Sequence, residues 1–274
     1  MPGGSHLRGG RRPRGVGRIY PDQRTVLRRQ PGCNPGYRQG HVILACPNLL
    51  LCSQGTTDDA KKRDGVIVSK HVFGPVDTNG FIVGDVESGR CLIIDPGIDS
   101  DEMLDTVRQR EWNVDWILNT HGHWDHIYSN AQFIRETGGV LAIHAGDIDL
   151  LEALTDQCFW MGVDIGEPSP APDRVLQDGD ALTVGAMEFS VLHIPGHSPG
   201  GAAFYCEGEG TVFVGDALFA GSVGRSDLPG GNHAQLIASI RTKLLTLPGD
   251  TTAYCGHGPE TTVEREKSSN PFLK

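Results

Sequence analysis

The 274 residues are 38% hydrophobic and 21% charged, the composition of an ordinary globular protein with enough apolar residues for a core. The net charge of −10 is divided unevenly: residues 1–63 carry +9 and residues 64–274 carry −19, and so acidic a body excludes nucleic acid as a bulk partner. No run of about 18 apolar residues occurs, so neither a membrane span nor a membrane partner is expected.

In chain order, residues 1–64 read as a disordered basic tail. Residues 1–40 are rich in Gly, Pro and Arg, as in Arg11-Arg12-Pro13-Arg14-Gly15, and show little apolar periodicity. Residues 41–52, HVILACPNLLLC, are apolar but broken by Pro47 and Asn48, and they lie late for a signal segment. Neither Cys46 nor Cys52 has both the small preceding residue and the long apolar run of a lipoprotein site. A dispensable tail is the expectation, ahead of an organelle leader or a start assigned too far upstream.

From residue 65 the pattern changes. Residues 66–68, 81–83 and 92–94 read as short strands between Gly/Asp turns, and 99–111 as a helix with Met103, Leu104 and Val107 on its core face. A strand at 114–118 runs into a histidine cluster. A helix (127–137), a strand (140–143) and a helix (145–155) follow. Residues 156–173, with Pro168, Pro170 and Pro172, read as a long connection. Strands are expected at 174–176, 181–184, 187–194, 201–206 and 211–215, a helix at 233–246 and a last strand at 251–254. Two strand groups, each mixed with helices, predict an α/β domain over 65–274 with two sheets and outer helices.

The seven cysteines form no Cys-x-x-Cys pair, and their number is odd. Reduced thiols and a cytoplasmic location fit this better than a disulfide framework or a zinc knuckle.

Chemistry concentrates at residues 120–126, Thr-His-Gly-His-Trp-Asp-His. His121, His123, Asp125 and His126 follow a strand directly, where a loop can aim side chains sharply. Four such groups within six residues cannot all reach one ion in tetrahedral geometry, whereas two ions about 3.5–4 Å apart can share them. Further donors are then expected at later strand ends, and three are present: His197 in Pro-Gly-His-Ser-Pro-Gly-Gly, Asp216 in Val-Gly-Asp, and His257 in Cys-Gly-His-Gly.

The succession THGHWDH, PGHSPGG, VGDALFAG and CGHGPETT resembles the metallo-β-lactamase superfamily over roughly residues 65–274. Within it, the chain is most similar to the hydroxyacylglutathione hydrolase (glyoxalase II) branch, its short members in particular. LFAGSVGRSD at 218–227 and Asn270-Pro271-Phe272-Leu273 add to the match. The resemblance implies a four-layered αβ/βα sandwich with two divalent metals at the shared edge of its sheets. One metal would be held by His121, His123 and His197, the other by Asp125, His126 and His257, with Asp216 bridging.

Zn²⁺ is the default ion for these ligands, and Fe or Mn accept the same set. Asp125 and Asp216 would be the catalytic carboxylates, Asp125 orienting a hydroxide that attacks a small-molecule thioester such as S-lactoylglutathione. Arg225 and Asp227 are candidates to line the substrate pocket, and Ser198 to support His197. Trp124, His144, His193 and Cys255 are expected to serve structure; Cys255 departs from the proline that often precedes Gly-His-Gly in the family.

Full-length glyoxalase II takes much of its glutathione site from a helical C-terminal domain, and here 17 residues follow His257, so glutathione recognition does not carry over with the metal chemistry. Alternatives of the same fold are a lactone or other acyl hydrolase, and a mononuclear-iron persulfide dioxygenase, which shares a Gly-Arg-x-Asp segment like 224–227. A β-lactamase is disfavoured because many carry cysteine at the Asp216 position, and a nuclease by the acidic charge. A non-catalytic zinc-stabilised module fits poorly, since structural zinc sites close with four ligands.

Overall fold

The computed structural model describes residues 61–63, 65–164 and 166–274, with the backbone alone at 61–63. The rest of the expected tail, including the apolar stretch 41–52, lies outside the described residues.

The first sheet comprises β1 (Lys61–Arg63), β2 (Val66–Phe73), β3 (Thr78–Asp85), β4 (Arg90–Ile94), β5 (Asn113–Leu118), β6 (Val140–His144) and β7 (Arg174–Leu176), in that order across the sheet. Pairing is antiparallel from β1 to β4 and parallel from β4 to β7. Parallel neighbours need long crossovers, and helices supply them. They are α1 (Asp101–Gln109), the pair α2 (Trp124–Ile127) and α3 (Asn130–Thr137), and the pair α4 (Ile148–Glu152) and α5 (Leu154–Met161).

The second sheet is built from β8 (Ala181–Val184), β9 (Met187–His193), β10 (Ala202–Cys206) and β11 (Thr211–Gly215). After a hairpin, β12 (Leu218–Phe219) with β13 (Ser222–Val223), the chain forms α6 (His233–Ser239) and a π-helical turn at Ile240–Leu244. It returns as β14 (Thr252–Cys255), β15 (Thr261–Thr262) and α7 (Val263–Ser269). The strand order is β15-β14-β11-β10-β9-β8, with β11 and β14 parallel.

Alternation along the strands divides the apolar residues into layers. In β4, Leu92 and Ile94 face the second sheet, meeting Phe189, Phe204 and Phe213, while Cys91 and Ile93 face the helices. Met103, Leu104 and Val107 of α1 and Phe133 of α3 cover that outer face. Leu236, Ile240, Leu244 and Val263 cover Val212, Val214 and Ala253 on the far side of the second sheet. The result is the four-layered αβ/βα sandwich.

The structure departs from the sequence reading at four places. β1 pairs with β2 at positions assigned to the tail; an edge strand of Lys-Lys-Arg needs only backbone pairing and has no apolar alternation to reveal it. α5 occupies the start of the expected connection, because apolar residues at four successive positions, 158–161, hide the helical period; only Leu154 and Cys158 are buried. The two-residue strands β12, β13 and β15 are too short to carry a pattern. In α7 only Val263 and Glu266 are buried, and a buried glutamate does not mark a core face. Among the described residues, no helix is long and apolar enough to cross a membrane.

Candidate metal centre

The two sheets meet at one edge through backbone hydrogen bonds. Ala202 N donates to Thr120 O at 2.7 Å, and Asn79 N to Gly256 O at 2.7 Å. The loops after β5, β9, β11 and β14 therefore converge. His123 caps α2, which places Asp125 and His126 in its first turn. The amide of Asn119 bonds His126 O and Asn130 Oδ1, which fixes the loop from below.

All seven expected residues come together. His197 Nε2 lies 2.9 Å from His123 Nδ1 and 3.3 Å from His121 Nε2. His257 Nε2 lies 3.3 Å, and His126 Nε2 3.4 Å, from Asp125 Oδ2. Asp216 stands between the two groups: Oδ1 is 3.4 Å from His126 Nε2, and Oδ2 is 3.6 Å from His197 Nε2 and 3.5 Å from His257 Nε2. Ligands bound at 2.0–2.2 Å around one tetrahedral ion sit about 3.3–3.6 Å apart, so these spacings suit a shared cation.

The chemistry of the donors also fits a metal. His126 Nε2 and Asp216 Oδ1 are buried and make no hydrogen bond, facing each other at 3.4 Å, a spacing that a cation bound by both would satisfy. His121, His123 and His197 form one compact three-histidine group, and Asp125, His126 and His257 another.

The two groups differ in protonation. Burial, then the neighbouring histidines, holds His121 well below the usual imidazole range, and the same causes bring His123 down to about 4. Burial opposes a proton on His257 too, but hydrogen bonds to Asp125 and Asp216 outweigh it and raise the group to about 10. His126 is likewise raised, its burial outweighed by Asp125, Asp216 and Asp95. Burial would raise Asp216, but His126 and His257 hold it well below the carboxylate range. Without metal, His121 and His123 are held neutral, whereas His126 and His257 keep protons among the carboxylates.

Two buried carboxylates that sequence reading missed organise the loops. Asp95, at the end of β4 with φ 52°, accepts from Thr120 N at 2.7 Å, Thr120 Oγ1 at 2.6 Å and His126 Nδ1 at 3.0 Å. Asp147 accepts from Gly122 N at 2.9 Å, Ser198 Oγ at 2.7 Å and Gly200 N at 2.5 Å. Ser198 thus supports the His197 loop through Asp147. The close approach needs glycine on both sides, since a Cβ at Gly146 would sit 2.8 Å from the Gly200 Cα. Asp-Pro-Gly and Gly-Asp read as turns in sequence, which is why neither carboxylate stood out.

The remaining candidates separate cleanly. Arg225 lines a cavity of about 400 Å³ with Asp216, Phe219, Ala220, His257, Gly258 and Pro259. Asp227 is not among its lining residues; it pairs with Arg225 in a two-point ion pair at 2.8 and 2.9 Å. Trp124 is buried in the helix-covered core, and His144 stacks on His193 at 3.9 Å. Burial pushes the Cys255 thiol up to about 12, as befits a packed side chain.

The sequence profile of the metallo-beta-lactamase superfamily matches residues 73–257. The chain belongs to this superfamily. The hydroxyacylglutathione hydrolase GloC of Haemophilus influenzae is 38% identical over 185 residues, 67% of this chain and 87% of GloC. The B3 metallo-β-lactamase BLEG-1 superposes with a TM-score of 0.71 at 34% identity, covering 76% of this chain and 99% of BLEG-1. TTHA1623, solved in a di-iron-bound form, does so at 0.68 and 38% identity, covering 74% of this chain and 99% of TTHA1623. The protein is thus a metallo-hydrolase of this superfamily with metal-binding His/Asp clusters.

Proposed function

We propose that this chain hydrolyses a thioester of the S-lactoylglutathione type, using two divalent metal ions, zinc by default. His121, His123 and His197 would hold one ion, Asp125, His126 and His257 the other, with Asp216 reaching both. When bound, such ions supply hydroxide at neutral pH and polarise the acyl carbonyl.

The chain's own groups do the rest. Thr78 Oγ1 donates to Asp125 Oδ2 at 3.1 Å, fixing a carboxylate suited to orient the nucleophile and take up its proton. Phe219, Ala220 and Pro259 give the adjoining cavity an apolar wall, and Arg225, whose Nε and Nη2 are paired with Asp227, also lines it. A thiolate leaving group needs little protonation, so no dedicated acid is required. The observation that carries this reading is the placing of Asp216 between two adjoining donor sets beside that cavity. GloC, a hydroxyacylglutathione hydrolase, supports it by similarity.

The test is thiol release from S-D-lactoylglutathione by the full chain loaded with Zn²⁺, Mn²⁺ or Fe²⁺. Turnover that needs metal and falls by more than about 100-fold in Asp216→Ala is expected. A fully metallated protein that releases no thiol sinks the substrate assignment. Lactones and other acyl compounds would then be assayed, together with O₂ uptake on glutathione persulfide, since the Gly224–Asp227 segment is similar to that of persulfide dioxygenases.

A further inference from the structure

The hairpin β12–β13 forms one wall of the cavity, and its two ends are held differently. At the cluster end, Arg225 O accepts from His197 Nδ1 at 2.7 Å. Gly224 there presses on the Asp216 carbonyl so closely that no Cβ could be accommodated. Beside the tip, the Phe219 ring meets the His257 ring edge-on, 6.2 Å between centroids, but the tip is not hydrogen-bonded to the donors. Instead, Gly221 N donates to Glu266 Oε2 at 2.9 Å, and Asn270 Nδ2 donates to Ser222 O at 3.0 Å and to Glu266 Oε2 at 2.7 Å. Thr261 Oγ1 donates to Glu266 Oε1 at 2.5 Å.

Glu266 and Asn270 are both fully buried. The carboxylate's hydrogen bonds come from three neutral donors, on the hairpin, on β15 and at the end of α7. Burying a carboxylate is costly, and an apolar residue would pin α7 to the sheet at less cost. What an apolar residue could not do is accept the Gly221 amide and orient the Asn270 amide toward Ser222 O at the same time. A polar side chain at 266 is therefore accounted for by its tie to the hairpin, made together with β15 and the end of α7.

We propose that Glu266 and Asn270 are positioning residues that fix the Phe219–Ala220 wall and thereby set how tightly substrate is held. The substrate part rests on the thioester reading above; the anchoring part does not. The experiment compares Glu266→Gln and Asn270→Ala with Thr261→Val, which removes a donor to Glu266 without touching the hairpin. Metal content, hydrogen exchange across residues 217–224, and steady-state kinetics on S-D-lactoylglutathione are measured on the full chain.

Expected for Glu266→Gln and Asn270→Ala are unchanged metal per chain, faster exchange in the hairpin, KM raised about 10-fold and kcat within about twofold. Thr261→Val should lower thermal stability while leaving hairpin exchange and KM as in the unmodified protein. Unchanged hairpin exchange in folded Glu266→Gln and Asn270→Ala overturns the proposal, as does an equal rise of KM in Thr261→Val or a loss of metal. If Glu266→Gln does not fold, Asn270→Ala carries the test, because it keeps the carboxylate and its other two donors. If the unmodified chain does not cleave the thioester, the function reading fails, and exchange with metal content still decides the anchoring.

Discussion

The histidines of the centre differ in what stands behind them. His126 is backed by the Asp95 carboxylate, His197 by the Arg225 carbonyl, and His257 by the carbonyls of Val76 and Asp77 at 3.0 and 3.2 Å. Such partners fix the ring and its tautomer, and their loss typically lowers metal affinity about 10–100-fold. Asp95→Asn is expected to show that loss when metal is titrated against a chelator, most strongly at the His126 side of the cluster. The protonation contrast gives a second prediction. A metal entering beside His121 and His123 finds neutral imidazoles, whereas one entering beside His257 must displace a proton from a group at about 10. Calorimetry at pH 7.5 in buffers of different ionisation enthalpy should therefore show proton release on filling the second group and little on filling the first. Release with both would contradict the assignment. The donors themselves were legible because four crowd into residues 121–126 and the others, weak signals singly, follow strand ends in an order that resembles the superfamily. Asp95 and Asp147 were not, because their partners lie on loops 25 to 53 residues away and meet them only in the folded chain.

At the level of elements, the ends of β6 and β9 are joined by the stacked rings of His144 and His193. His144 Nδ1 accepts from Gly146 N at 3.2 Å, capping the turn that presents Asp147. Burial and then His193 push His144 down to about 4. An unfolded histidine binds its proton near pH 6.5, so between pH 6.5 and about 4 the unfolded chain holds more protons. Stability should fall as pH drops through that window, and His144→Gln should fall less steeply; parallel unfolding curves for the two would refute the point. Asp147→Asn places a donor among the three donors now facing the carboxylate. A loss of about 1–3 kcal/mol is expected in urea unfolding of the metal-free chain, with weaker metal binding at the His197 side. The longer strands were readable as short apolar runs between turns, and α1 from the period of its core face, Met103, Leu104 and Val107. α7 was not, since its buried face centres on Glu266, and α5 was not, since Phe159, Trp160 and Met161 are exposed.

For the whole molecule, the centre joins two sheets that are also held by apolar packing and by a few hydrogen bonds between them. Its donors come from loops after β5, β9, β11 and β14, so metal should stabilise the fold by linkage. Removing metal with a chelator should lower the melting temperature, and re-addition should restore it, with Asp216→Ala showing a smaller response. An identical melting temperature with and without metal would show that the sheets do not depend on the centre. The order of these loops along the chain also carries a consequence for synthesis. His121, His123, Asp125 and His126 leave the ribosome early, and His257 emerges 131 residues after His126. At about 5–20 residues per second, the nascent chain spends roughly 7–26 s with the first histidines made and the last one missing. During that interval the donors can take up stray cations in arrangements the finished protein does not use. The donor set closes only when β14 pairs with β11 and brings His257 to the others.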